Sequence, residues 1–170
     1  PHPAIRHSST SRGLGDVYKR QLYDGVLDGF EVAVQHLFDN NFGVLANATF
    51  IGGDTDADRD VLGEQFALPG FGDAANLSVF YENEKMAARL SYNWKGETYA
   101  GQDQYNPLYV VERAQVDFNA YYNINESTQV FFEAINITDS EVELYSRYEE
   151  MTFLYQDHGP IYKAGFRVKF

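Results

Sequence analysis

Apolar side chains return at every second position in seven separate runs between residue 30 and the last residue of the chain. In an extended backbone successive side chains point to opposite faces, so each run predicts a strand with one apolar and one polar side. The first sets Phe30, Val32 and Val34 against Glu31, Ala33 and Gln35; the second sets Phe42, Val44, Ala46, Ala48 and Phe50 against Gly43, Asn47 and Thr49. The third carries Leu77, Val79 and Tyr81, and the fourth opposes Ala88, Leu90, Tyr92 and Trp94 to Arg89, Ser91, Asn93 and Lys95. The fifth opposes Ala114, Val116, Phe118, Ala120 and Tyr122 to Gln115, Asp117 and Asn119, and the sixth opposes Val130, Phe132 and Ala134 to Gln129 and Glu133. The last turns Tyr162, Ala164, Phe166, Val168 and Phe170 away from Lys163, Gly165, Arg167 and Lys169.

The connections alternate between short and long. Asp39, Asn40 and Asn41 turn the chain after the first run, Asn83 and Glu84 after the third, and residues 123–127 after the fifth. Polar stretches from 52 to about 73, from the end of the fourth run to about 108, and from 138 to 160 are the long ones. The predicted fold class is all-β: an antiparallel up-and-down meander of about seven long strands. Tight turns alternating with long loops suit a transmembrane β-barrel, with turns at the periplasmic rim and loops outside. The apolar rows then face outer-membrane lipid. The opposite phase places Arg89, Asn93, Arg113, Asp117, Glu133, Arg167 and Lys169 toward the lumen.

A mean hydropathy of -0.42 and a net charge of -12 agree with such a barrel, because about half the strand residues face a polar interior and the loops are wet. No apolar run approaches the ~20 residues of a membrane helix. Aromatic residues make up 16% of the chain and many fall near strand ends, as the two interfacial belts of a barrel require. Phe38, Phe42, Phe80, Tyr81, Tyr121, Tyr122 and Phe170 are assigned to the inner belt, and Trp94, Phe50 and Tyr109 to the outer.

Residues 1–21 break the pattern, with four basic residues against Asp16 and no alternation. The string from Ser9 to Gln21 resembles a translated library adapter and is set aside as a non-native or disordered segment, leaving 22–170 as the domain. That remainder carries 9 basic and 24 acidic residues, a net of -15, which disfavours nucleic acid as a partner. Seven strands is an odd number where single-chain bacterial barrels have even ones, so the expectation is a fragment of a larger barrel.

Gly29-Phe-Glu-Val, Gly43-Val-Leu-Ala-Asn-Ala-Thr-Phe50, Leu68-Pro-Gly70, Ala88-Arg-Leu-Ser-Tyr-Asn-Trp94, Gln115-Val-Asp-Phe, Phe132-Glu-Ala-Ile-Asn-Ile-Thr138 and Gly165-Phe-Arg-Val-Lys-Phe170 together resemble the C-terminal barrel strands of TonB-dependent receptors. The resemblance runs from about residue 23 to 170. It implies a 22-stranded barrel in the outer membrane of a Gram-negative bacterium, plugged by an N-terminal domain that contacts the TonB complex. It also implies active uptake of a scarce, small nutrient, carbohydrate being favoured over siderophore, with no cofactor and no catalysis. Plug and TonB box are expected upstream of this fragment. The lumen-phase charges are then expected to form an interior lattice against the plug. The closing strand, with Tyr162, Phe166, Val168 and Phe170, resembles the signal read by the barrel-assembly machinery.

Candidate binding chemistry lies in the long connections. Tyr99, Tyr105, Tyr145, Tyr148 and Tyr155 offer rings that stack on sugar faces, or else pack the loops, and Gln102 and Asp103 offer hydroxyl partners. Asp54, Asp56, Asp58 and Asp60 have the spacing that opens a calcium loop. However, Arg59 stands where glycine is required and Gln65 where the closing glutamate belongs, which favours a solvated acidic loop. His36 and His158 are far apart and cysteine is absent, so a zinc site is not expected. Ser146 with Asp157 and His158 lacks an evident oxyanion hole. Two other readings remain open: a small complete outer-membrane barrel of eight strands serving as adhesin or structural protein, and a soluble ligand-binding barrel or sandwich.

Overall fold

A computed structural model describes residues 24–169; the expectations on residues 1–21 and on Phe170 lie outside the described residues. Eleven strands follow one another: β1 (Leu27–Leu37), β2 (Phe42–Gly53), β3 (Ala74–Glu82), β4 (Met86–Lys95), β5 (Thr98–Asp103), β6 (Asn106–Val110), β7 (Arg113–Asn123), β8 (Thr128–Ile135), β9 (Val142–Ser146), β10 (Thr152–Gln156) and β11 (Ile161–Val168). The described residues contain no helix. All seven alternating runs become strands of one antiparallel sheet, ordered β1-β2-β3-β4-β7-β8-β11, which is the expected meander.

Register decides that the apolar rows coincide. Phe30 lies opposite Phe50, Val44 opposite Val79, Val79 opposite Leu90, Leu90 opposite Phe118, Phe118 opposite Ala134, and Ala134 opposite Tyr162. A slip of one residue in any pair would throw a whole row to the other side. One face of the sheet is therefore continuously apolar, and no other described element covers it. Its large side chains, such as Phe30, Leu77, Leu90, Phe132, Tyr162 and Phe166, are exposed by 41% to 75%.

The short connections are built on asparagine, whose side-chain carbonyl closes a turn by accepting backbone N–H groups ahead of it. Asn83 Oδ1 accepts from Lys85 and Met86 at 2.9 Å each, and Asn125 Oδ1 from Ser127 at 2.9 Å and Thr128 at 2.8 Å. Asn41 takes the left-handed conformation, φ 67°, that asparagine tolerates.

Two findings depart from the sequence-based expectation. The second and third long connections are not plain loops: they contribute β5 and β6, and β9 and β10, to a separate four-stranded sheet ordered β10-β9-β6-β5. These strands are five or six residues long, and register shifts fall between Tyr99 and Gly101 and between Thr152 and Leu154. A bulge adds a residue to one strand and erases the period-2 signal there. Three of the aromatic residues expected to form belts also stand off the apolar face. Phe80 and Tyr121 stand on the polar face, since Phe80 lies opposite Gly43 and Arg89, and Tyr121 opposite Ala87 and Phe131. Tyr109 is buried in the second sheet. The Phe80 ring fills the space over Gly43 so closely that a Cβ there would come within 2.3 Å of it, which explains a glycine mid-strand.

Candidate functional site

At the long-connection end, the β5–β6 hairpin follows β4 and leads into β7 with two residues between at either side, and β9 pairs with β6. Register sets Tyr99 opposite Tyr109 and Tyr109 opposite Tyr145, so three tyrosines from two connections form one ladder. Tyr109 and Tyr145 stack with centroids 5.3 Å apart, and Tyr99 meets Tyr109 edge-on at 5.9 Å. The first long connection lies over this ladder and packs Ala57 and Ala67 on it. Tyr109 Oη donates to the Ala57 carbonyl at 2.7 Å.

Two arginines bind the three connections together. Arg59 holds its guanidinium 4.5 Å from the centre of the Tyr109 ring and 5.5 Å from that of Tyr145, and pairs with Glu97 at 2.6 Å. Tyr145 Oη also donates to Glu97. Arg147 is buried, with φ 63°; it donates to the carbonyls of Arg59, of Val61 at 3.2 Å and of Tyr105 at 3.0 Å, and to Asn106 Oδ1 at 3.1 Å. Gln102 adds a reciprocal clamp, accepting from Gln65 N at 3.0 Å and donating to the Gly63 carbonyl at 3.1 Å. The connections thus form a single cap rather than three separate loops.

Burial pushes the Tyr109 hydroxyl up to about 12, helped by the Asp56 carboxylate. Burial likewise raises Tyr145, with Glu97 adding to it, and raises Tyr99, with Asp56 adding to it. For Arg59 burial opposes the charge, but Tyr145 and Glu97 outweigh it and the guanidinium is held more firmly protonated. Tyr155, at the surface, is pushed up to about 12 by its hydrogen bond to Glu141.

The sequence-derived candidates divide accordingly. Tyr99 and Tyr145 are buried in the ladder and Gln102 is engaged by the first connection. Asp103, Tyr105, Tyr148 and Tyr155 stand exposed on the cap. In the stretch with calcium-loop spacing, Asp54 accepts from Val26 N at 2.9 Å, Asp56 from Ala57 N at 2.7 Å and Asp58 from Asp60 N at 2.8 Å. The Asp56 and Asp58 carboxylates bond nearby backbone, that of Asp54 ties the connection to the start of β1, and among the described residues no group of three or more acidic, histidine or cysteine side chains can hold a metal ion.

Of the residues expected to face a lumen, Arg89, Asn93, Arg113, Asp117, Glu133 and Arg167 share the polar face of the large sheet. Asn76 donates to Asn93, Asn93 to Asp117 at 3.1 Å, and Gln115 to Asp117 at 2.7 Å, while Ser78 and Ser91 meet at 2.8 Å. Glu133 lies 3.9 Å from Lys163, and Arg167 donates to Gln129 at 3.1 Å. Arg89 sits 5.2 Å from the Phe80 ring centre and Arg167 6.0 Å from that of Phe131. Arg113 starts β7, and the Lys169 amide donates to the Ser127 carbonyl at 2.9 Å.

The sequence pattern does not single out Glu97 and Arg147, marks Arg59 only as a misfit in a calcium loop, and places Tyr109 in the outer belt. A signal for the arginines existed: segments 52–73, 96–112 and 136–160 hold fifteen acidic residues, and Arg59 and Arg147 are the sole Lys or Arg among them. Comparison with protein-family models, curated proteins and solved structures returned no match.

Proposed function

We propose that this chain supplies consecutive wall strands of a TonB-dependent receptor in the outer membrane of a Gram-negative bacterium, a transporter that takes up a scarce nutrient from its long-loop end. The observation that carries the reading is the uncovered apolar face, in register across seven strands, set against a hydrogen-bonded polar face. A barrel wall between hydrocarbon and a wet interior needs this division, and a soluble sandwich would bury the apolar side against a second layer. Both edge strands, β1 and β11, lack an outer neighbour among the described residues, which suits continuation into further strands. The cap then faces outward, with Asp103, Tyr105, Tyr148 and Tyr155 as its exposed contacts for a small ligand. The short turns face the periplasm, where a plug and the TonB complex belong, and the closing strand engages the barrel-assembly machinery.

The chain has no cysteine, so single substitutions can be labelled without background. In outer-membrane vesicles, Val79→Cys and Leu90→Cys are expected to react with a bilayer-soluble maleimide, and Ser91→Cys and Asn119→Cys with a water-soluble one. Asp103→Cys should label on intact cells. Equal reaction of both strand phases with the water-soluble reagent would end the membrane reading.

A further inference from the structure

Arg59 belongs to the first long connection, yet its guanidinium rests on the second sheet, over Tyr109 and Tyr145 and against the Glu97 carboxylate. Two aromatic faces and a carboxylate converging on a planar cation is the set of acceptors by which proteins recognise guanidinium and ammonium groups. Here a side chain of the same molecule fills it. Its hold is modest, because the Arg59 side chain is 35% exposed and that of Glu97 37%, and an ion pair open to water contributes little. The backbone beneath Arg59 is held independently, its carbonyl accepting from Arg147, so the side chain can leave without releasing the connection. Beside the site a cavity of about 630 Å³, lined by Glu97, Val111, Glu112, Glu143, Tyr145 and Glu149, has room for a larger solute. The acidic excess of the whole cap would draw cations to its mouth.

We infer that Tyr109, Tyr145 and Glu97 form a recognition site for a small guanidinium- or ammonium-bearing solute, which enters by displacing Arg59, the internal cation that keeps the site closed. This deepens the receptor reading by naming a ligand class for its outer end, and its place in uptake rests on that reading; the binding itself does not.

The test is calorimetric titration of the full chain in detergent micelles, with agmatine as the cationic probe and maltose as the neutral control. Arg59→Ala should bind agmatine about ten-fold more tightly than the unaltered chain, the double variant Arg59→Ala with Glu97→Gln should lose that gain, and maltose should distinguish none of them. No gain in Arg59→Ala, with the near-ultraviolet dichroism of the tyrosine ladder intact, overturns the inference. Where Arg59→Ala loses that signal, Arg59→Lys decides: it keeps the charge but not the planar stacking, and a gain of about three-fold is expected, none being the refuting result. These micelle measurements are indifferent to the bilayer, and the cysteine labelling is indifferent to agmatine, so either reading can fail alone.

Discussion

Replacing Leu90 by arginine puts the orientation of the large sheet to a quantitative test. Leu90 lies midway along β4, half exposed, in the row that links Val79, Phe118, Ala134 and Tyr162. Fifteen large side chains on this face are exposed by 38% or more: Phe30, Val32, Val34, Phe42, Phe50, Leu77, Val79, Leu90, Tyr92, Tyr122, Val130, Phe132, Tyr162, Phe166 and Val168. Full burial of such a side chain is worth ~1.5–3 kcal/mol, so leaving all of them about half exposed to water forgoes on the order of 15 kcal/mol, as much as the whole stability of an ordinary domain. Hydrocarbon recovers that energy and penalises charge: an arginine on the lipid side near the midplane costs about 2–4 kcal/mol. Asn119→Arg, on the opposite phase between Arg89 and Glu133, should stay within about 0.5 kcal/mol. Trp94 is the single tryptophan, so its fluorescence follows urea unfolding of the full chain in phosphatidylcholine vesicles without ambiguity. With a urea slope of about 2 kcal/mol per molar, Leu90→Arg should lower the midpoint by about 1–2 M. Equal shifts for the two variants, or Trp94 quenched by aqueous iodide as readily with lipid as without, would refute the reasoning.

Three further outcomes follow from the cap and its stem. Arg147→Ala removes the donor to three carbonyls from a buried position and should cost the cap about 3–5 kcal/mol, seen as faster amide exchange and proteolysis across residues 54–68 while the large sheet keeps its protection; unchanged exchange there would contradict the latch. Tyr109, held up to about 12 by burial and then Asp56, is neutral in folded and unfolded chains alike below about pH 10, so its contribution is complete there. Above that pH the unfolded tyrosine ionises while the folded one resists, and on the order of 2 kcal/mol of cap stability is lost between about 10 and 12. A tyrosinate absorbance titration should therefore show a late cooperative step that Tyr109→Phe diminishes. Gly53 has φ 108°, and a Cβ there would lie 2.1 Å from the Val26 carbonyl oxygen. Gly53→Ala should accordingly cost about 1–3 kcal/mol and fray the loop end of the β1–β2 pair, measurable by exchange at Leu27 and Asp28.

The alternation from Phe30 to Val168, with the asparagine turns at Asn41, Asn83 and Asn125, was enough by itself to determine seven strands, their order, and which side chains share each face. Period and turn chemistry are local, and a one-residue error in any strand would have put charge among the apolar rows. Only the tertiary structure decided the cap. Tyr99, Tyr109 and Tyr145 meet through pairings between separate connections. Bulges hide the period of β5 and β10, and Arg59 reaches Glu97 across 38 residues of sequence. No periodicity encodes such contacts, because they depend on how the stems below are already aligned. Arg147, in a left-handed conformation and bonded to backbone carbonyls of the first and second connections, is invisible to any reading that looks for partner carboxylates. The sheet is thus a consequence of short-range pattern, and the cap a consequence of long-range closure.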